Sequence, residues 1–329
     1  MTTSEWLYAR LHHTSHQHGE ILAGTLVPDW VAAAEQLGAT GWFFIRYADT
    51  AGPHLRLRFY GPPAALDACW SAGRELWRRA DDERGAPGEV HRIHPLAEDF
   101  TARRGSRHLS LGVYSREHHY YGSPAATRIA EEVFQASSQV ALDTVAATGA
   151  DRITRALHAI GFLRACTSSL GPHQRDRIWR LHWQHWTAAL GEDPEALERT
   201  RECATHLSRT SPSRTTGPAE PLIRLAGQVV EGVHRALAVD PEAVASRLLL
   251  MHMHMTLNRL GFLPLEEAVL GRAAHAADRS AAAHLQAPGN APPPPTGAGE
   301  HPGPEPTHTQ CAEPVRHDRN PSTKKGRTT

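Results

Sequence analysis

Three short segments of this sequence carry side chains that can hold anions or move protons. In His54-Leu55-Arg56-Leu57-Arg58-Phe59-Tyr60, extended geometry puts His54, Arg56, Arg58 and Tyr60 on one face and Leu55, Leu57 and Phe59 on the other. The planar guanidinium fork grips carboxylates or amide oxygens with fixed geometry. An ordinary solvated face with surface ion pairs fits the same pattern. The second segment, Tyr114 to Ser123, joins Glu117, two histidines, Tyr120 and Tyr121. Acid, imidazole and phenol together suit proton transfer, and equally a surface loop with an aromatic anchor. The third is Ser246 to Arg259, where helical spacing puts Met251, His254 and Asn258 on one stripe and His252 elsewhere. An imidazole on an apolar helix is costly unless it has partners, so both a catalytic and a satisfied core histidine fit here.

Positioning these segments requires a sheet and a set of helices. Glu5–His12, Gly41–Tyr47, His54–Tyr60 and Val90–His94 read as strands, the middle two as a hairpin. Helices are expected at Pro28–Leu37 and Pro63–Ala80, with Pro near the starts and Gly38 at the first stop. The order β-α-β-β-α-β is that of a ferredoxin-like split βαβ unit. After Tyr121 the pattern turns helical, over Pro124–Ala147, Asp151–Ala165, Pro172–Leu190, Pro194–Leu207, Pro221–Ala238, Pro241–Leu260 and Leu265–Leu285, with a polar connector at Ser208–Gly217. The expected fold is α+β: a ferredoxin-like half over 1–100 and a helical half over 120–286, together forming one domain. Residues 287–329 hold ten of the 24 prolines and almost nothing apolar, the composition of a disordered tail.

Composition excludes several functions. The 35 basic and 35 acidic residues cancel, leaving no global field for a nucleic acid or an acidic membrane surface. No apolar run approaches the roughly 20 residues of a membrane span, and no secretory signal opens the chain. The four cysteines share no Cys-x-x-Cys spacing, so a soluble cytoplasmic protein is expected. Lysine occurs only at Lys324 and Lys325, and histidine 23 times, a bias that a GC-rich genome explains. His91/His94, His182/His185 and His252/His254 are closely spaced, yet no carboxylate or cysteine completes a zinc pattern, so no metal is expected. Nucleotide-binding glycine motifs and the Gly-x-Ser-x-Gly elbow are absent, and no cofactor is expected.

Taken together, the segments resemble a family. Trp42-Phe-Phe-Ile-Arg46-Tyr47 followed by Pro53-His54-Leu-Arg56-Leu-Arg58-Phe59 is similar to the hallmark of the lantibiotic dehydratase C-terminal domain, also called the thiopeptide-type bacteriocin biosynthesis family. Tyr114-x-x-Glu117-x-x-Tyr120-Tyr121-Gly122 resembles that family's Tyr-x-x-Glu-x-x-Arg-Tyr-Gly-Gly. Phe134-Gln-Ala-Ser137-Ser138 resembles its Phe-x-x-Asp-Ser, and His254-Met255-x-x-Asn258-Arg259-Leu260 its His-Met-x-x-Asn-Arg-Leu. These matches stand in family order, from about residue 6 to 270.

In the lanthipeptide branch the resemblance implies glutamate elimination from a glutamylated Ser or Thr of a precursor peptide. Arg56 and Arg58 would hold the departing carboxylates and His254 would assist proton transfer. Here Tyr120 replaces the family arginine, Ser137 its aspartate and Ser123 its second glycine. Stand-alone thiopeptide members instead build a central pyridine from two dehydroalanines by a formal [4+2] aza-cycloaddition. That reaction needs a cleft to fold the peptide back and a few acid/base groups rather than a glutamate pocket. The expected catalytic groups are His254, Tyr120 and Tyr121. Ser138 would polarise an amide, while His54, Arg56, Arg58, Glu117 and Asn258 would bind substrate. The expected partners are a modified precursor peptide with its leader and other maturation enzymes of the pathway, with neither direct nucleic-acid contact nor a membrane. A glutamate-eliminating subunit and a noncatalytic peptide presenter are the alternatives.

Overall fold

The alternation of small apolar and large polar residues in Glu5–His12 makes β1 a two-faced strand: Ala9 and Leu11 are buried on one side, Tyr8 and His12 on the other. In the computed structural model, residues 4–80, 92–95, 105–210 and 219–286 are described, with the backbone alone for 281–286. β1 is followed by α1 (His16–Gly24), capped by Ser15 Oγ, and α2 (Leu26–Gln36). The hairpin strands β2 (Gly41–Asp49) and β3 (Gly52–Gly61) come next, then α3 (Pro63–Arg79) and β4 (His108–Leu111). The sheet order is β2-β3-β1-β4, antiparallel at each pairing, which is the arrangement of a ferredoxin-like unit.

The closing strand is not where the sequence pattern put it. Arg92–His94 has no strand geometry, Val90 and His91 lie outside the described residues, and the fourth strand is His108–Leu111. Its neighbours explain the difference. Ile93 N–H donates to Glu266 Oε1 at 3.1 Å, and His94 Nε2 lies 3.0 Å from Thr200 Oγ1, so side chains of the helical half tie this segment down. His108 pairs with His12 instead.

One face of the sheet, with Ala9, Leu11, Phe44, Leu55, Leu57 and Phe59, packs under α1, α2 and α3 around the fully buried Trp30. The opposite face carries Tyr8, Arg10 and His12 beside Arg58, Arg56 and His54 in strict register. Phe43, across from Arg58, belongs to the core of the helical half.

That half comprises α4 (His118–Tyr121), α5 (Pro124–Thr148), α6 (Arg152–Thr167), α7 (Pro172–Thr187), α8 (Pro194–Arg209), α9 (Glu220–Val239), α10 (Ala245–Arg259) and α11 (Pro264–Gln286). α10 starts at Ala245 rather than at Pro241, because Val244 is extended (φ −98°, ψ 110°) after a turn closed by Ala243 N–H on Asp240 O. Most of the polar connector (211–218) and the proline-rich 287–329 lie outside the described residues. No helix among the described residues is long and apolar enough to cross a membrane.

Candidate active site

β2 is an edge strand, and its outward backbone groups need partners. They find them in side chains of α5 and α10. Trp42 N–H donates to Gln135 Oε1 at 3.3 Å and Phe44 N–H to Ser138 Oγ at 3.1 Å. Arg46 N–H donates to Asn258 Oδ1 at 2.8 Å, and Asn258 Nδ2 returns a bond to Arg46 O at 2.9 Å. Arg259 Nε donates to Phe44 O at 2.8 Å and to Ser138 Oγ at 3.0 Å. Ser138 and Asn258 therefore act on the backbone of β2 and lock the helices to the sheet.

Behind this seam lies a small cavity of about 10 Å³, room for about one water, lined by Arg58, Tyr114, Glu117, Tyr121, Met255 and Arg259. The Arg58 guanidinium is 4.7–5.0 Å from the rings of Tyr8, Phe43 and Tyr114, which explains how a buried cation is tolerated. Burial nevertheless holds Arg58 below the usual arginine range, and Tyr114, Tyr8 and Glu117 oppose the shift. Arg259, completely buried, is pushed down to about 9 by burial. Among the described residues Arg58 Nε and Arg259 Nη2 have no hydrogen-bond partner, and both side chains line the cavity. Burial raises the Tyr121 phenol well above its ordinary value, as does burial with the Glu131 carboxylate for Tyr114. The Tyr114 hydroxyl donates to Glu131 Oε1 at 3.0 Å, and Arg116 Nε reaches the same oxygen at 3.0 Å.

His254 points away from that cavity, toward α7 and α11. Its Nδ1 lies 3.0 Å from both oxygens of Glu267, a fully buried carboxylate, and its ring lies 4.4 Å from that of Trp186. The His254 side chain stays 19% exposed, so the imidazole is fixed at Nδ1 and still reaches solvent. Burial pushes Glu267 up to about 7, against the pull of His254. An imidazole steered by a buried acid is an arrangement for general acid–base chemistry. His252, by contrast, is buried against Tyr121 and Phe134, and burial pushes it down to about 3.

The remaining expected residues fall elsewhere. Tyr120 is 40% exposed and lies beside Arg247, whose guanidinium is 5.6 Å from its ring, so the structure does not bring Tyr120 to His254 or into the cavity. His54 is fully buried: Nδ1 contacts Gly52 O at 3.1 Å and Nε2 accepts from Arg56 Nε at 3.2 Å. Arg56 also stacks on Tyr47 at 3.3 Å. The His12 ring lies tilted beside that of His54 and stacks on that of His108, continuing the row across the sheet. Among the described residues no three His, Cys, Asp or Glu side chains converge to hold a metal ion.

Of the expected residues the structure thus gathers Arg58, Glu117 and Tyr121 in one cavity and sets His254 beside it on α10. Arg259, Tyr114, Glu267 and Trp186 join them without having been singled out. Arg259 sits within the quoted His-Met-x-x-Asn-Arg-Leu segment, so a signal for it existed. Glu267 had none, because two acids in the first turn of a helix read as a response to its dipole.

Residues 6–277 match the family model described as "Lantibiotic biosynthesis dehydratase C-term". The chain belongs to this family. No curated protein matches the sequence. Among solved structures, the chain is similar to the tRNA-dependent lantibiotic dehydratase MibB from Microbispora sp. 107891, at 23% identity over 85% of this chain and a TM-score of 0.49. It spans 28% of the length of that protein. The pyridine synthase TbtD from thiomuracin biosynthesis has 20% identity, covering 83% of this chain and 98% of its own, with a TM-score of 0.55. TsrL has 19% identity over 86% and 98%, with a TM-score of 0.44. In this dehydratase C-terminal fold the four sequence segments meet at one seam: β2, β3, α4–α5 and α10 all contribute to the Arg58 cavity or the clamp beside it.

Proposed function

We propose that the chain is a thiopeptide maturation enzyme that joins two dehydroalanines of a modified precursor peptide in a formal [4+2] aza-cycloaddition. One dehydroalanine, with its preceding amide as the iminol, serves as the azadiene and the other supplies the two-carbon partner. Two C–C bonds form. The iminol oxygen leaves as water, and cleavage of a C–N bond releases the leader as an amide, so the ring becomes aromatic with no oxidant. His254, steered by Glu267, would carry the proton during tautomerisation and loss of water, with Trp186 as a flat surface for an azole or for the forming ring. Arg58 and Arg259 would polarise an amide oxygen. Tyr121 and Glu117 would shape that subsite, and Arg56 and His54 would brace its strand.

The observation that carries this reading is the neutral residue Tyr120 in place of the family arginine, turned outward. The charge that would meet a carboxylate of departing glutamate is thereby missing. The second reading, glutamate elimination as a separate subunit, is favoured by the two unpartnered guanidinium donors, Arg58 Nε and Arg259 Nη2.

Mass analysis separates the readings. The protein is incubated with a leader-bearing, azole-containing peptide holding two dehydroalanines, and in parallel with a glutamylated precursor. Loss of water with release of leader amide is the expected result. Loss of glutamic acid alone would replace it with elimination, and binding without any mass change would leave a presenter of precursor peptide to other maturation enzymes.

A further inference from the structure

We propose that the groove between α7 and α11 holds an acidic segment of the peptide substrate. This rests on the reading of the substrate as a peptide.

The two helices run antiparallel and close together. Asp176 Oδ1 lies 3.1 Å from His275 Nε2 at one end. Further along, Gly271 faces the His182 ring so closely that a Cβ at this position would collide with it. Between the helices lies a groove of about 550 Å³, and a second of about 380 Å³ continues it beside α8. Arg180, Arg272 and Arg279 stand exposed along its walls, and none has an acidic partner among the described residues. Arg199 and Arg201 on α8 and Arg224 on α9, by contrast, each pair with a glutamate three or four residues away. Trp183 forms part of the lining, with the Arg272 guanidinium 5.7 Å from its ring. The one acid lining the groove among the described residues, Asp176, is engaged by His275. A local excess of cation on a chain of zero net charge is a recognition surface for anions.

Outside the groove, the same two helices also contact His254. One turn beyond Trp183, α7 presents Trp186 to the His254 ring at 4.4 Å. Five residues before Arg272, α11 presents Glu267 to its Nδ1 at 3.0 Å. Arg272 and Arg279 are about 10 Å apart along the helix axis, at about 1.5 Å per residue. Three extended residues cover about the same distance. The fitting ligand is an extended segment with carboxylates three residues apart, each met by a guanidinium fork.

The probe is a fluorescein-labelled Asp-Leu-Gly-Asp-Leu-Gly peptide, with its Asn-for-Asp counterpart as control, titrated against the full chain by fluorescence polarisation. The acidic peptide is expected to bind at least about tenfold more tightly than the amide peptide, less so at high salt. The double variant Arg272→Glu/Arg279→Glu is expected to abolish that preference with an unchanged melting temperature, because both side chains are exposed. In the cyclisation assay the same variant is expected to raise KM with kcat nearly unchanged. Equal binding of both peptides, or tighter binding of a single-stranded RNA oligomer, would overturn the proposal. Acidic-peptide binding without cyclisation would overturn the assigned reaction and leave the groove standing. Cyclisation indifferent to Arg272 and Arg279 would do the reverse.

Discussion

Asn258 forms two hydrogen bonds with a single residue, accepting from Arg46 N–H at 2.8 Å and donating to Arg46 O at 2.9 Å. A side-chain amide thus completes β2 as one more strand residue would, and fastens α10 to the sheet. In Asn258→Ala both backbone groups lose their protein partners, a cost of about 2 kcal/mol, read as a lower denaturation midpoint with unchanged slope. Asn258→Asp retains the acceptor only, and is expected to lose the bond to Arg46 O while keeping the other.

Glu267 matters to His254 by charge and by position. Glu267→Gln keeps a hydrogen-bond acceptor for Nδ1 but removes the carboxyl's charge and proton. Turnover is expected to fall about 100-fold. His254→Ala is expected to lower turnover at least as far and to leave the fold intact, since the ring is partly exposed. Wild-type turnover in either variant would remove the pair from the mechanism.

Arg58 tests the cavity. Its guanidinium lies among three aromatic rings and presents Nε without a partner. Arg58→Lys keeps the charge and loses the fork, and is expected to recover little of the activity lost in Arg58→Met, which should fall about 100-fold or more. Circular dichroism of both variants distinguishes this loss from unfolding.

Acid stability follows from buried histidines. Burial pushes His182 and His252 down to about 3, so each stays neutral in the fold while its unfolded counterpart charges below about 6.5. The unfolded chain then binds more protons, and stability falls as pH drops from about 6.5 toward 3, by about 1.4 kcal/mol per pH unit for each histidine. Glu267 acts in the other direction: its raised value stabilises the fold below about 4.5, a contribution lost as pH rises through about 7. Chemical denaturation is expected to show the acid loss dominating, and His252→Phe to flatten it.

Local patterns determined much of this protein. Period-two alternation placed three strands, Pro starts placed most helices, and the spacing of four segments was enough to indicate the family. The same alternation put Arg58 on one face of its strand with His54, Arg56 and Tyr60. Tertiary structure decided what each polar residue does. Ser138 and Asn258 look like substrate ligands in the sequence, yet an edge strand with unpaired backbone groups claims both. Tyr120 and Tyr121 are neighbours in the chain, and the turn at α4 sends one outward and buries the other. The fourth strand was misplaced because Arg92–His94 is held by Glu266 and Thr200, more than a hundred residues away. Glu267 acquires its role only where α11 packs on α10, because a carboxylate next to an imidazole is a property of two helices meeting and of neither one alone.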